Sequence, residues 1–215
     1  MKSIIIAGSN GMIGKLVLEN CLNNNEVNKV TAITRKPLGI THEKLVEVIH
    51  DNFLDYSAIA AHFKNQDVCF YCIGVYTGQV PTNEFKTITV DFTKAFATTL
   101  HQNSAAVSFC FLSGQGADST EKSSILFARE KGIAENFLLS LKFNATYIFR
   151  PGYIYPVTPR REPNFAYRLM KILYKPVSLL YPNIGTTSVQ LANKMVDIGL
   201  HGGNKIIYEN VDIRA

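Results

Sequence analysis

The chain has 215 residues against roughly 100–200 per domain, so one domain over 1–215 is expected. It is 47% hydrophobic and 18% charged, a globular balance that excludes disorder, and its apolar runs fall well short of the ~20 residues of a membrane helix. A formal charge of +5 without a basic stripe does not call for nucleic acid, and glycine arrives too early for a signal peptide, so a cytoplasmic location with no nucleic-acid or membrane partner is expected.

The first element predicted is a strand, SIIIAG, followed by a helix from Gly11 to about Asn23. Strands KVTAIT and KLVEVIH come next, then a short helix around Ser57 to Phe63 and the strand DVCFYCIG. A helix from about Asn83 to Gln102, the strand AVSFCFLSG, a helix from Ser123 to Leu141 and the strand ATYIFRP continue the alternation. Such a βα order specifies a parallel sheet with helices on both faces, and the continuous apolar strands fit double-sided cover. The fold class expected is α/β, a Rossmann-like doubly wound parallel sheet.

After Pro151 the texture changes: Pro156, Pro159, Pro163, Pro176 and Pro182 are spaced through aromatic and basic residues. The stretch 152–185 is read as a small C-terminal cover over the sheet's carboxyl edge, where open α/β sheets bind ligands. Residues from about 153 to 181 would shape a substrate pocket. The basic cluster Arg160, Arg161, Arg168, Lys171 and Lys175 reads as a solvated helix face. A helix from Thr187 to Leu200 and a last strand, NKIIYE, close the chain.

The strongest chemical signal is the loop Gly8, Ser9, Asn10, Gly11, Met12, Ile13 and Gly14, set between strand and helix. Its spacing is GxxGxxG. Gly8 permits the turn out of the strand, Gly11 lets backbone approach a diphosphate, and Gly14 lets the helix pack closely. Free amides at the helix start then meet the phosphates. At the end of the second strand a carboxylate would mark NAD, but the chain reads Thr34-Arg35-Lys36-Pro37. Arg35 and Lys36 suit a 2′-phosphate, so NADP(H) is expected over NAD(H); the alternative is that both cations are merely solvated.

Together the GxxGxxG loop, the TRK turn and FRPG after the sixth strand resemble the atypical short-chain dehydrogenase/reductases. The segments LSGQGAD, EKGIAENFL and FNATYIFRPGYIY resemble more narrowly the NmrA-like, Tat-interacting-protein-like subgroup of NAD(P)-binding oxidoreductase homologues. The resemblance implies that Asp51 and Asn52 approach the adenine, that Cys72, Ile73 and Gly74 line the adenosine and ribose, and that Pro151, Gly152, Tyr153 and Ile154 lie along the nicotinamide. Asp51 and Asn52 also suit an ordinary strand-end turn.

In that family a YxxxK motif pairs an acid/base tyrosine with a lysine that holds the ribose. Here the motif reads Phe127-Ala128-Arg129-Glu130-Lys131. Lys131, one turn from Phe127 on the same helix face, keeps its part, while a phenyl ring moves no proton. The family serine falls at Ser113, or one or two places on at Gly114 or Gln115. Three readings stay open. Tyr153, Tyr155 or Tyr76 supplies the proton; or the substrate is a flavin or quinone that needs none from the protein; or the protein binds NADPH without turnover and reports redox state to a protein partner. The expected function is an NADPH-dependent oxidoreductase acting on a small or medium organic substrate, with the sensing regulator as the alternative.

Cys21, Cys69, Cys72 and Cys110 lie in apolar stretches and read as reduced thiols. The five histidines share no ligand spacing, so no metal is expected. The two helices from Asn83 to Gln102 and from Ser123 to Leu141 are candidates for a homodimer seam.

Overall fold

Ile4, Ile5 and Ile6 are each fully buried, and successive strand side chains leave on opposite faces, so this run needs cover on both sides. The computed structural model, which describes residues 1–158, 174 and 182–215, provides it. Ile4 and Ile6 pack with Val17, Leu18 and Met195 on one face. Ile5 packs with Phe96, Leu100 and Leu138 on the other.

Strand β1 (Lys2–Ala7) leads through the glycine loop to α1 (Met12–Leu22), and β2 (Val27–Thr34) and β3 (Leu45–Ile49) follow. A 3₁₀ helix, Ser57–Phe63, precedes β4 (Val68–Tyr71). The long helix expected next is built from α2 (Thr82–Lys86), one π turn over Thr87–Asp91, and α3 (Phe92–Asn103). Then come β5 (Ser108–Leu112), α4 (Leu126–Ser140), β6 (Ala145–Arg150) and β7 (Tyr153–Tyr155). After the undescribed stretch lie β8 (Gly185–Thr187), α5 (Ser188–His201), β9 (Ile207–Glu209) and α6 (Asn210–Arg214).

Seven strands form one sheet in the order β3-β2-β1-β4-β5-β6-β9, and every pairing in it is parallel. Helices α1 and α5 cover one face, α3 and α4 the other. This is the Rossmann-like α/β fold expected from the sequence. The order reverses direction between β1 and β4, which creates a crevice at their carboxyl ends.

Helix α4 starts three residues later than expected because Asp118 organises the chain before it. Its carboxylate accepts hydrogen bonds from the amides of Thr120, Lys122 and Ser123 and from the Thr120 hydroxyl. Those bonds favour the ionised form and hold the carboxyl below its usual range. Thr187 caps α5 in a reciprocal capping box with Gln190, as the predicted start at Thr187 requires.

A separate two-stranded parallel pair, β7 with β8, was not expected from the sequence. The basic cluster Arg160 to Lys175 and most of the pocket residues from about 153 to 181 lie outside the described residues. All four cysteines are free thiols. Cys69 packs into one face of the sheet and Cys72 against the other, as residues three apart on a strand must. No helix among the described residues is long and apolar enough to cross a membrane.

Candidate functional site

The glycine loop is built by close backbone approach. Gly8 has φ +88°, and a Cβ there would stand 2.7 Å from the Cys72 carbonyl at the end of β4. Any other residue would strain the turn and push β1 from β4 at once. Gly14 lies on the helix over the turn: its Cβ would stand 2.2 Å from the Gly8 carbonyl oxygen. The Gly11 amide donates to that same oxygen at 2.9 Å, closing the loop. Helix α1 begins at Met12 with Gly11 as N-cap, no side-chain cap and no acidic residue in its first turn. The amides of Ile13 and Gly14 have no acceptor inside the helix, and the helix start is electropositive.

Ser9 adds a second sign of a missing partner. It is 1% exposed, and its hydroxyl has no hydrogen-bond partner among the described residues, although buried hydroxyls ordinarily find one. An orphaned hydroxyl, an uncapped helix start and a loop with no room for side chains all fit a dinucleotide diphosphate.

The second cluster lies at the end of β2. Asn10 reaches across from the glycine loop, and its amide donates to Thr34 Oγ1 at 2.7 Å and to the Lys36 carbonyl at 2.9 Å. Arg35 is exposed, and its guanidinium carbon stands 5.8 Å from the centroid of the Phe53 ring. Neither Arg35 nor Lys36 makes an ion pair among the described residues, so both cations remain available. Phe53 had no part in the sequence reading; its place one step past Asn52, after a strand end, was the available signal.

Asp51 and Asn52 follow β3. The Asn52 side chain accepts from the Leu54 amide at 3.2 Å, and His50 Nε2 lies 2.8 Å from the carbonyls of Asn52 and Asp55. Asn52 thus builds a local turn, and Asp51 stands exposed beside it. At the end of β4, the Cys72 amide donates to the Ala7 carbonyl at 2.8 Å, which holds Cys72 and Ile73 against Gly8. Gly74 is exposed, with open space where a Cβ would be.

The third cluster joins α4 to the end of β5. Lys131 is 7% exposed; its ammonium donates to the Leu112 carbonyl at 3.1 Å and stands 4.9 Å from the Phe111 ring centroid. Burial pushes its pKa down to about 8, against the pull of Glu135 and Cys72. Phe127 packs over Gly114, where a Cβ would stand 2.6 Å from the tip of its ring. The ring therefore occupies the strand end that a tyrosine hydroxyl would address.

Ser113 is placed at the end of β5 as expected, but its hydroxyl donates to Glu135, which is fully buried. Glu135 in turn receives both arms of Arg150, which also reaches Glu209 at 3.2 Å and Ser119 at 3.0 Å. Sequence reasoning missed this carboxylate. Its signal was Glu135 one helical turn beyond Lys131, facing the same strand.

The turn after β6 is equally confined. The Gly152 amide donates to Asn210 Oδ1 at 2.9 Å, and a Cβ on Gly152 would stand 2.8 Å from both Gln115 Oε1 and the Ile184 carbonyl. The Gln115 amide donates to the Pro151 carbonyl at 2.9 Å. Pro151 and Gly152 are thus locked beside the β5 end. Ile154 packs against the α1 and α5 face. Tyr153 and Tyr155 stand 5.6 Å and 4.9 Å from Tyr174, ring centre to ring centre.

A family model described as NAD(P)H-binding matches residues 8–155. Protein HTATIP2 of Rattus norvegicus is 31% identical over 154 residues, which is 70% of this chain and 62% of that protein's length. Protein FMP52, mitochondrial, of Meyerozyma guilliermondii is 24% identical over 168 residues, covering 78% of this chain and 72% of that protein. Among solved structures, the Bordetella bronchiseptica enzyme WbmH in complex with NAD+ aligns with TM-score 0.71 at 15% identity, covering 97% of this chain and 75% of that one. A short chain dehydrogenase family protein from Francisella tularensis subsp. tularensis SCHU S4 aligns with TM-score 0.68 at 18% identity, over 99% and 98% of the two chains. At such identities the two structures show a shared fold.

Proposed function

The chain belongs to the NAD(P)H-binding family, and from that membership we propose that it is an NADPH-dependent oxidoreductase of the atypical short-chain dehydrogenase/reductase kind. The observation that carries the reading is the glycine cradle, with the orphaned Ser9 hydroxyl beside an uncapped helix start. The loop amides and Ser9 hold the diphosphate. Arg35 and Lys36 meet the 2′-phosphate, and the guanidinium sits over Phe53 at the adenine end.

Bound NADPH supplies a hydride. Lys131 has three protons to donate and gives one to the Leu112 carbonyl, so two remain for ribose hydroxyls; its role is orientation. Pro151, Gly152, Tyr153 and Ile154 wall the nicotinamide end, and Cys72, Ile73 and Gly74 wall the adenosine side. Asp51 stands at the adenine rim.

Catalysis by the family's serine and tyrosine is not open to this chain. Phe127 has no hydroxyl, and the Ser113 hydroxyl is engaged by Glu135. The substrate class that fits is therefore one whose reduction needs no tyrosine proton, a small or medium quinone or a flavin. Losing a general acid removes a factor of about 10²–10⁴, so simple carbonyls should be poor substrates. The same two residues are what favour the second reading, an NADPH-sensing regulator without turnover.

One panel separates these. Purified protein with NADPH is offered quinones, flavins, aldehydes and ketones, and cofactor oxidation is followed at its near-ultraviolet absorbance. Quinone or flavin reduction well above that of aldehydes supports the enzyme; NADPH binding with no oxidation by any acceptor supports the sensor. Phe127→Tyr should raise carbonyl reduction by at least about tenfold. No gain in a variant that still binds NADPH would show that the missing phenol is not what limits carbonyl chemistry.

A further inference from the structure

Asn10 belongs to the glycine loop by sequence, yet its side chain turns away from the loop's own backbone and toward β2. Its amide donates there twice: to Thr34 Oγ1 at 2.7 Å and to the Lys36 carbonyl at 2.9 Å. Thr34 closes the triangle. Its hydroxyl donates to the same Lys36 carbonyl at 2.8 Å and accepts from the Lys36 amide at 3.4 Å. Thr34 is 4% exposed, so its hydroxyl is a buried polar group fully committed to this bracket.

Arg35 lies between the two anchored residues. Its backbone is pinned at Thr34 on one side and Lys36 on the other, while its side chain extends over Phe53 with no carboxylate paired to it among the described residues. A long cationic side chain loses much rotamer freedom when it binds an anion, and pinning its backbone lowers that cost. The bracket also fixes the distance between the helix start that receives a diphosphate and the turn that carries the two cations.

We propose that Asn10 and Thr34 are positioning residues for cofactor selectivity: they hold the Arg35–Lys36 turn in register with the glycine loop, so that one dinucleotide spans both anion sites. The inference rests on the NADPH reading above. Neither residue needs to touch the phosphate on the ribose; both act through the turn. NAD+ shares every contact except those to the 2′-phosphate, so loss of the bracket lowers NADP+ affinity disproportionately.

The test is calorimetric titration of NADP+ and NAD+ into the full chain and three variants. Asn10→Ala removes the donor, Thr34→Val removes the hydroxyl at constant shape, and Thr34→Ser keeps it. The ratio of NADP+ to NAD+ affinity should fall by about fivefold or more in the first two, the worth of a hydrogen bond or two, and stay within about twofold in Thr34→Ser. General damage to the fold lowers both affinities together and leaves the ratio unchanged. An unchanged ratio in Asn10→Ala and Thr34→Val, with the parent chain preferring NADP+, overturns this inference and leaves the NADPH reading standing. A parent chain with no preference overturns the selectivity reading and this inference with it.

Discussion

Lys131 is a cation held where water is scarce, and that placement has a measurable signature. Its pKa is pushed from 10.5 to about 8 by burial. Between these values the unfolded chain carries a proton that the folded chain lacks, so stability rises with pH across that window. Below about pH 8 the ammonium is charged in both states and its desolvation penalty is felt in full. Lys131→Met should therefore be more stable than the parent at pH 7.5, and the gap should narrow by pH 10. Urea midpoints at the two pH values measure it; parallel profiles would place the ammonium in solvent instead. The residue itself was legible from the YxxxK spacing. That its neighbour Ser113 is engaged by Glu135 was not, because a helix face and a strand end meet only in the folded chain.

At the scale of elements, the β1-loop-α1 unit carries the greatest constraint. Adding one methyl at Gly14 forces an atom to within 2.2 Å of the Gly8 carbonyl oxygen, which is rigid backbone. Gly14→Ala should cost about 1–3 kcal/mol, as overpacking does, and cofactor affinity should fall with it because the helix start must shift off the loop. A thermal melt and an NADPH titration check the two effects; a variant as stable as the parent would mean that the approach of helix to loop is looser than described. This unit was readable in the sequence from GxxGxxG between a strand and a helix. The start of α4 was misplaced by three residues because the Asp118 turn takes over Ser123. The π turn over Thr87–Asp91 leaves no mark in hydrophobic periodicity, and the β7–β8 pair forms from short segments far apart in the chain.

Across the whole molecule, the alternation of strands and helices foretold a parallel sheet covered on both faces; the strand order with its reversal between β1 and β4, like the network at the β6–β9 edge, appears only in the folded chain. Arg150 ties α4 to the β6–β9 edge through Glu135, Glu209 and Ser119. Removing one partner of a buried pair leaves the other uncompensated, at a cost of about 3–5 kcal/mol. Arg150→Met should lose that much in denaturant unfolding. A loss under 1 kcal/mol would show that Glu135 is satisfied without it. Arg35 and Lys36 stand exposed after the β2 end, a position that the sequence alone marks by its lack of a carboxylate.

If the glycine loop and the β2 turn together hold one phosphorylated dinucleotide, the two cofactors must differ in affinity. Calorimetric titration of NADPH and NADH into the parent chain and into Arg35→Asp tests this most directly. NADPH should bind the parent more tightly than NADH, by about tenfold or more, and the order should reverse in Arg35→Asp. Equal affinities in the parent, or no heat with either cofactor, would contradict it.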